Sequence, residues 1–198
     1  MVQREDVSAA LARFERVPAD RPDLKRAAVG ITLVDDPGGT AFLLTRRAAT
    51  LRGHAGQWAL PGGRADDGEE PGEAARRELF EELGLGLGPE AELGLLDDYP
   101  TRSGYVITPV VLWAGAGADL VPNPAEVGEL HRVPLATIDI EPRFLTIPES
   151  DNPVIQLPLF GRFVHAPTGA VLFQFREVVL RGRATRVAHL EQPVFAWR

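Results

Sequence analysis

The sequence predicts an α+β fold, on three observations. A strand-like run at 27–34 is followed by a tight turn and a second strand-like run, an acidic helix-forming stretch occupies 72–83, and three more strand-like runs follow that helix. With 198 residues, 44% of them hydrophobic and 25% charged, the chain suits one globular domain of ordinary make-up. In chain order, the reading begins with a short amphipathic helix over Glu5 to Val17, with Ala9, Leu11, Ala12 and Phe14 among its apolar positions, and a connection through Pro18 and Pro22. Ala27 to Val34 reads as a strand, Asp35-Asp36-Pro37-Gly38-Gly39 as a turn, and Thr40 to Thr45 as the returning strand of a hairpin. A strand, a glycine-rich loop and a helix run from about Trp58 to Leu83. Strands are expected near Glu92 to Asp97, Tyr105 to Ala114 and Gly128 to Val133, and a last helix from Thr168 to Leu180 with Thr168 as its cap. The chain divides into an N-terminal helix and connection at 1–26 and a main domain at 27–198 that includes the last helix and tail.

Composition narrows the function classes. A net charge of −7 argues against general nucleic-acid binding, while a polyphosphate substrate is compatible if metals and local arginines offset its charge. There is no cysteine, so neither a disulfide framework nor a zinc thiolate site can form, which fits a cytoplasmic chain. The N-terminal stretch is charged and no run approaches 18 apolar residues, so neither a secretion signal nor a spanning helix is expected.

The chemistry concentrates between Gly63 and Leu85. Glu78, Glu81 and Glu82 stand at i, i+3 and i+4, which puts three carboxylates on one helix face, where they repel and invite a compensating cation. A hard divalent ion suits them: Mg2+ takes oxygen ligands and completes its shell with waters and substrate phosphates, and Mn2+ fits a similar oxygen site. Turn residues and acids from Asp66 to Glu70, with Pro71, mark the start of the helix, and Gly84 marks its end.

Gly63, Glu69, Arg77, Glu78, Leu79, Glu81, Glu82, Gly84 and Leu85 fill every fixed position of the pattern GX5EX7REUXEEXGU, where U is bulky and apolar, and in this the segment resembles the Nudix hydrolase signature. The resemblance implies the Nudix α/β/α sandwich with a central mixed sheet and metal-assisted hydrolysis of a diphosphate linkage. It implies Glu78 and Glu82 as direct ligands of Mg2+ or Mn2+, Glu81 as ligand or base, and Glu69 and Arg77 as a positioning pair that braces the loop. It also implies a backbone carbonyl near Gly62 or Gly63 in the metal site. Glu126 is the candidate for a further acid from another loop.

A second block, LLTRRAATLRGHAGQWALPGG at Leu43 to Gly63, is similar to the extended signature of the coenzyme A pyrophosphatase branch, with Leu60 in place of the phenylalanine usual there. DDYPTRSGYVITPVV at Asp97 to Val111 and NPAEVGELHRVPL at Asn123 to Leu135 also resemble that branch, whereas Phe163 to Gly182 lacks the segment such enzymes carry before their last helix. Guanidinium groups hold phosphate oxygens with paired hydrogen bonds, so Arg47, Arg52 and Arg102 are candidate phosphate contacts, with Ser103 beside Arg102 as a donor and His54 as a nucleotide or phosphate contact. Trp58 reads as a core residue. The implied substrate is a small nucleoside diphosphate derivative, coenzyme A or an acyl-CoA, giving 3′,5′-ADP and 4′-phosphopantetheine. Alternatives are a Nudix pyrophosphatase for ADP-ribose, NADH or dinucleotide polyphosphates, and a non-catalytic nucleotide sensor. Pro193, Phe195 and Trp197 in the tail could pack on this domain or on a second subunit, which would make a homodimer.

Overall fold

The computed structural model describes residues 2–51, 53 and 55–197. Helix α1 spans Arg4–Arg13, strand β1 Lys25–Asp36, β2 Gly39–Arg47, β3 Trp58–Ala59, β4 Gly62–Arg64 and helix α2 Pro71–Leu83. After α2 come β5 at Glu92–Leu95, β6 at Tyr99–Pro100, β7 at Tyr105–Gly115 and β8 at Val127–Pro134. Then follow β9 at Arg143–Ile147, β10 at Ser150–Leu159, β11 at Arg162–His165 and helix α3 at Thr168–Phe175.

Eight strands form a mixed sheet. Its main path runs β3-β2-β1-β7-β5, with β4 paired to β1, β6 to β7 and β8 to β2. β1 and β2 form the expected antiparallel hairpin, Leu33 facing Phe42 and Asp36 facing Gly39, while β1 and β7 run parallel from Lys25 opposite Tyr105 onward. A parallel pair needs a crossover, and the stretch containing α2 supplies it.

Alternation along the strands feeds two cores. On β2, Ala41 and Leu43 face α2 and pack with Ala74, Ala75, Leu79 and Leu83, whereas Phe42 and Leu44 join the opposite face. That opposite face is covered by Val7 and Leu11 of α1, by Val171, Leu172 and Phe175 of α3, and by Leu157, Leu159 and Val164 of a separate three-stranded sheet ordered β11-β10-β9. The layering is therefore α/β/α, with the expected central mixed sheet and an added small sheet on one side.

Three regions differ from the sequence reading. Helix α1 stops at Arg13, because the next residues extend to reach two buried acids: Arg16 pairs with Asp98 at 2.6 Å, and the Val17 amide donates to Asp97 at 2.7 Å. Gln174 and Arg186 reach Asp97 from the other end of the chain, at 2.8 Å each. The last helix begins after Pro167, and Thr168 does not cap it; the Thr168 hydroxyl donates to the Trp58 carbonyl at 3.3 Å. Beyond Phe175 the turns widen into a π-helix at Arg176–Leu180. Strands β9, β10 and β11 form where the sequence predicts no strand. No helix among the described residues is long and apolar enough to cross a membrane.

Candidate active site

The site is built where β4 meets α2. β4 lies antiparallel to β1, with Gly62 opposite Val29 and Gly63 opposite Ala28. A side chain at Gly62 would strike the Ala28 carbonyl, and one at Gly63 would strike the Glu78 carboxylate. The glycine pair therefore lets the backbone lie directly against the sheet on one side and against a helix acid on the other. From there the chain turns, with Glu69 accepting the Asp66 amide at 2.9 Å, and enters α2 through Glu70, Pro71 and a capping box closed by Glu73. Gly84 ends the helix in the left-handed conformation at φ 68°, its amide donating to the Phe80 carbonyl.

Arg77 gathers the acids. Its guanidinium donates to both oxygens of Glu69 at 2.9 and 3.0 Å, to Glu78 at 2.8 Å, to Glu81 at 3.3 Å and to the Arg64 carbonyl at 3.0 Å. The Arg77 hydrogen bonds hold the Glu69 carboxyl below its usual range. The Glu69–Arg77 pair thus ties the loop to the helix.

Glu82 is in a different condition. Only 3% of it is exposed, and burial pushes its carboxyl up to about 8, against the opposing pull of the Gly62 amide and the Arg47 charge and with the help of neighbouring Glu78 and Glu126. Glu78 is also raised, chiefly by burial, with Glu81 and Glu126 adding to the effect that its bond to Arg77 opposes. Glu81 lies at the solvent edge, its side chain 51% exposed.

The loop after β7 brings in Glu126. The Val121 amide donates to the Leu83 carbonyl and the Asn123 amide to the Glu82 carbonyl, both at 2.8 Å, which docks this loop on the last turn of α2. Asn123 Nδ2 then holds the Glu126 carboxylate at 3.2 Å. Arg47, at the end of β2, lies close enough to Glu82 to favour its charge, and its Nε is buried without a hydrogen-bond partner among the described residues.

In this arrangement no three carboxylates among the described residues share one ligation point, because Glu78 and Glu81 are turned onto Arg77. The chemistry of the donor set nevertheless fits a hard divalent cation. All donors are carboxylate oxygens, they repel one another, and the buried Glu82 carboxyl is left favouring its proton for want of a nearer positive charge.

A cleft of about 500 Å³ is lined by Arg46, Arg47, Gly62, Gly63 and Arg64, and it meets the acids through Gly62, bonded to Glu82, and Gly63, packed on Glu78. Ser103 lines it, donating to Thr101 Oγ1 at 3.1 Å. Arg102 does not: its guanidinium is paired with Glu191 at 2.6 Å and lies over the Trp197 ring at 5.1 Å, so the expected phosphate contact is a clamp on the tail. Arg52 and His54 lie outside the described residues. Trp58 packs against the core as expected and also lines the cleft. The sequence reading missed Phe163, His165 and Phe195 in the cleft lining, and no motif marks them.

The family profile of the NUDIX domain matches residues 24–156. The chain belongs to the Nudix family. Curated relatives include an uncharacterized Nudix hydrolase NudL of Photorhabdus laumondii, 42% identical over 113 residues that make up 57% of this chain and 60% of that one. Its counterpart in Pectobacterium atrosepticum is 41% identical over 121 residues, 60% and 62% of the two chains. The chain thus matches about three-fifths of the length of these relatives. Among solved structures, the Nudix hydrolase RenU of M. smegmatis is 25% identical with a TM-score of 0.52, covering 82% of this chain and 89% of its own. A MutT/nudix family protein of Enterococcus faecalis shares the fold at a TM-score of 0.57 and 15% identity, over 91% and 76% of the two chains. The Nudix signature read from Gly63 to Leu85 lies inside the matched region, as do Arg47 and Glu126.

Proposed function

We propose that this protein is a hydrolase that cleaves the diphosphate linkage of a nucleoside diphosphate derivative with the help of Mg2+ or Mn2+, and that coenzyme A or an acyl-CoA is the substrate. The observation that carries the hydrolase reading is the acid cluster of Glu78, Glu82 and Glu126 behind Gly62 and Gly63, which line a cleft large enough for a nucleotide-sized ligand, with the buried Glu82 raised to about 8. A bound divalent ion would supply charge neutralisation for the phosphate oxygens and acidify a water.

The chain's own residues do the rest. Glu82, Glu78 and the neighbouring Glu81 are the acids that would hold the ion, with Gly62 beside Glu82. Arg77 keeps Glu69, Glu78 and Glu81 on one fork and so fixes the loop against the helix. Arg47 places a permanent positive charge between the cluster and the cleft, where it can meet phosphate oxygens. Glu81, half exposed on the same helix face, is the candidate further ligand or base.

The coenzyme A assignment is supported by the similarity of Leu43 to Gly63 to that branch of the family. The deciding experiment is incubation with Mg2+ and a mixed pool of coenzyme A, ADP-ribose, NADH and dinucleotide polyphosphates in H2(18)O, read by mass spectrometry. Coenzyme A should yield 3′,5′-ADP and 4′-phosphopantetheine, with the label showing which phosphorus is attacked. Preferential loss of ADP-ribose would move the enzyme to the alternative substrate class, and no turnover of any member would leave a nucleotide sensor.

A further inference from the structure

The two walls of the cleft come from different parts of the chain. Arg46, Arg47, Gly62 and Gly63 belong to the family-matched region, while a second part of the lining is built by β11, the start of α3 and the tail, all beyond residue 156. We propose that this second wall is a nucleobase platform, on which a planar heteroaromatic base stacks against Phe163 and Phe195 while its phosphates point toward Arg47 and Gly62. It rests on the Proposed function only in taking the Gly62 end of the cleft as the phosphate end.

The argument starts from the two rings. Phe163 is 39% exposed and Phe195 61% exposed, yet both line a cavity whose other apolar residues are buried, as Val164 and Val171 are, or half-buried, as Val29 and Trp58 are. Large apolar rings left open on a concave wall are unspent contact surface. Both rings are also held in place. The His165 ring meets Phe195 edge-on at 5.3 Å and 87°, and Gln156 Nε2 lies 3.0 Å from His165 Nε2. Arg143 lies over the Phe163 ring at 5.8 Å. The tail carrying Phe195 is fastened at several points: Tyr99 donates to the Leu190 carbonyl at 2.7 Å, the Glu191 amide to Pro153 at 2.8 Å, and Trp197 to the Gln192 carbonyl at 2.8 Å.

Of the polar groups on this wall, Thr168 donates to the Trp58 carbonyl, Gln192 accepts from the Arg102 amide, and Arg162 is exposed to solvent. Besides that one guanidinium, what the wall offers a ligand is chiefly aromatic faces. That chemistry suits a π-face, since every base has one, and prearranged rings spare the ordering cost of binding.

Isothermal titration with Mg2+ present separates the parts of a ligand. AMP and ribose 5-phosphate share phosphate and sugar and differ only in the base; 4′-phosphopantetheine carries the phosphate on an aliphatic chain. The wild type should bind AMP at least about fivefold more tightly than ribose 5-phosphate, the scale of one stacked base. Phe195→Ala and Phe163→Ala should each shrink that ratio while leaving ribose 5-phosphate unaffected, and Phe195→Trp should restore it. Equal binding of AMP and ribose 5-phosphate, or no detectable binding of either, overturns the platform. So does a Phe195→Ala variant that loses affinity for 4′-phosphopantetheine but not for AMP. None of the three probes contains a diphosphate bridge, so the result stands whether or not the protein proves to be a hydrolase.

Discussion

Glu82 concentrates the chemistry of the site in one side chain, because its burial makes charge costly unless a cation is bound. Its carboxyl, raised from 4.5 to about 8, keeps its proton at neutral pH in the metal-free protein. A group whose folded value is raised holds more protons folded than unfolded, so metal-free stability should fall as pH rises from about 4.5 through about 8. Mg2+ must displace that proton, and titrations at pH 7 in buffers of different ionisation enthalpy should show proton release on binding; none in any buffer would remove Glu82 from the metal site. Glu82→Gln should cut turnover at least about a hundredfold while leaving the metal-free protein no less stable, checked by steady-state kinetics beside thermal melts. Arg102 makes the opposite case. Arg102→Ala leaves the buried Glu191 carboxylate short of its charged partner and should cost about 1–3 kcal/mol in urea unfolding. A normal unfolding midpoint combined with a raised KM would return Arg102 to phosphate binding.

At the scale of elements, the turn of α2 into the following loop is the sensitive joint. Gly84 sits at φ 68°, and a methyl there would also approach Val121 at 3.2 Å, in the loop that carries Glu126. Gly84→Ala should therefore destabilise by about 1–2 kcal/mol, the cost of a left-handed residue, and reduce turnover as well through the displaced loop. Chemical denaturation and kinetics on the same preparation test the two effects together. The helix and its caps were legible in sequence because every signal there agreed: Pro71 at the start, Gly84 at the end, acids at helical spacing between. The β1–β2 hairpin was legible for the same reason, with Asp36, Pro37, Gly38 and Gly39 marking its turn. The small sheet was not. Pro153 and Pro158 interrupt the run that becomes β10, and the polar start of that strand shows no clear alternation, so its pairing is decided by packing on the main domain. Within the site, the glutamates and Arg77 could be placed from spacing on one helix. Phe163 and Phe195 could not, since only the tertiary path of a segment without a motif brings both to one cleft.

Across the whole molecule, buried ion pairs fasten the C-terminal third. Burial alone would push Glu177 and Glu191 up, but the bond from Arg176 with the charges of Arg183 and Arg181 holds Glu177 below its usual range, and Arg102, the Gln192 amide and Ser150 do the same for Glu191. Lowered carboxyls stabilise the fold above their unfolded value and lose that contribution as pH falls through the folded one, so melting temperature should drop as pH is taken below about 4.5. Glu177→Gln should flatten this acid slope; an unchanged slope would place the acid sensitivity elsewhere. Asp97 adds a matter of timing. One of its partners, Arg186, lies 89 positions further along the polypeptide. A ribosome working at about 5–20 residues per second needs several seconds to deliver that arginine. Through that interval the half-made protein lacks this guanidinium, and a message cut short before Arg186 would leave the buried acid with only the neutral donors Val17 and Gln174.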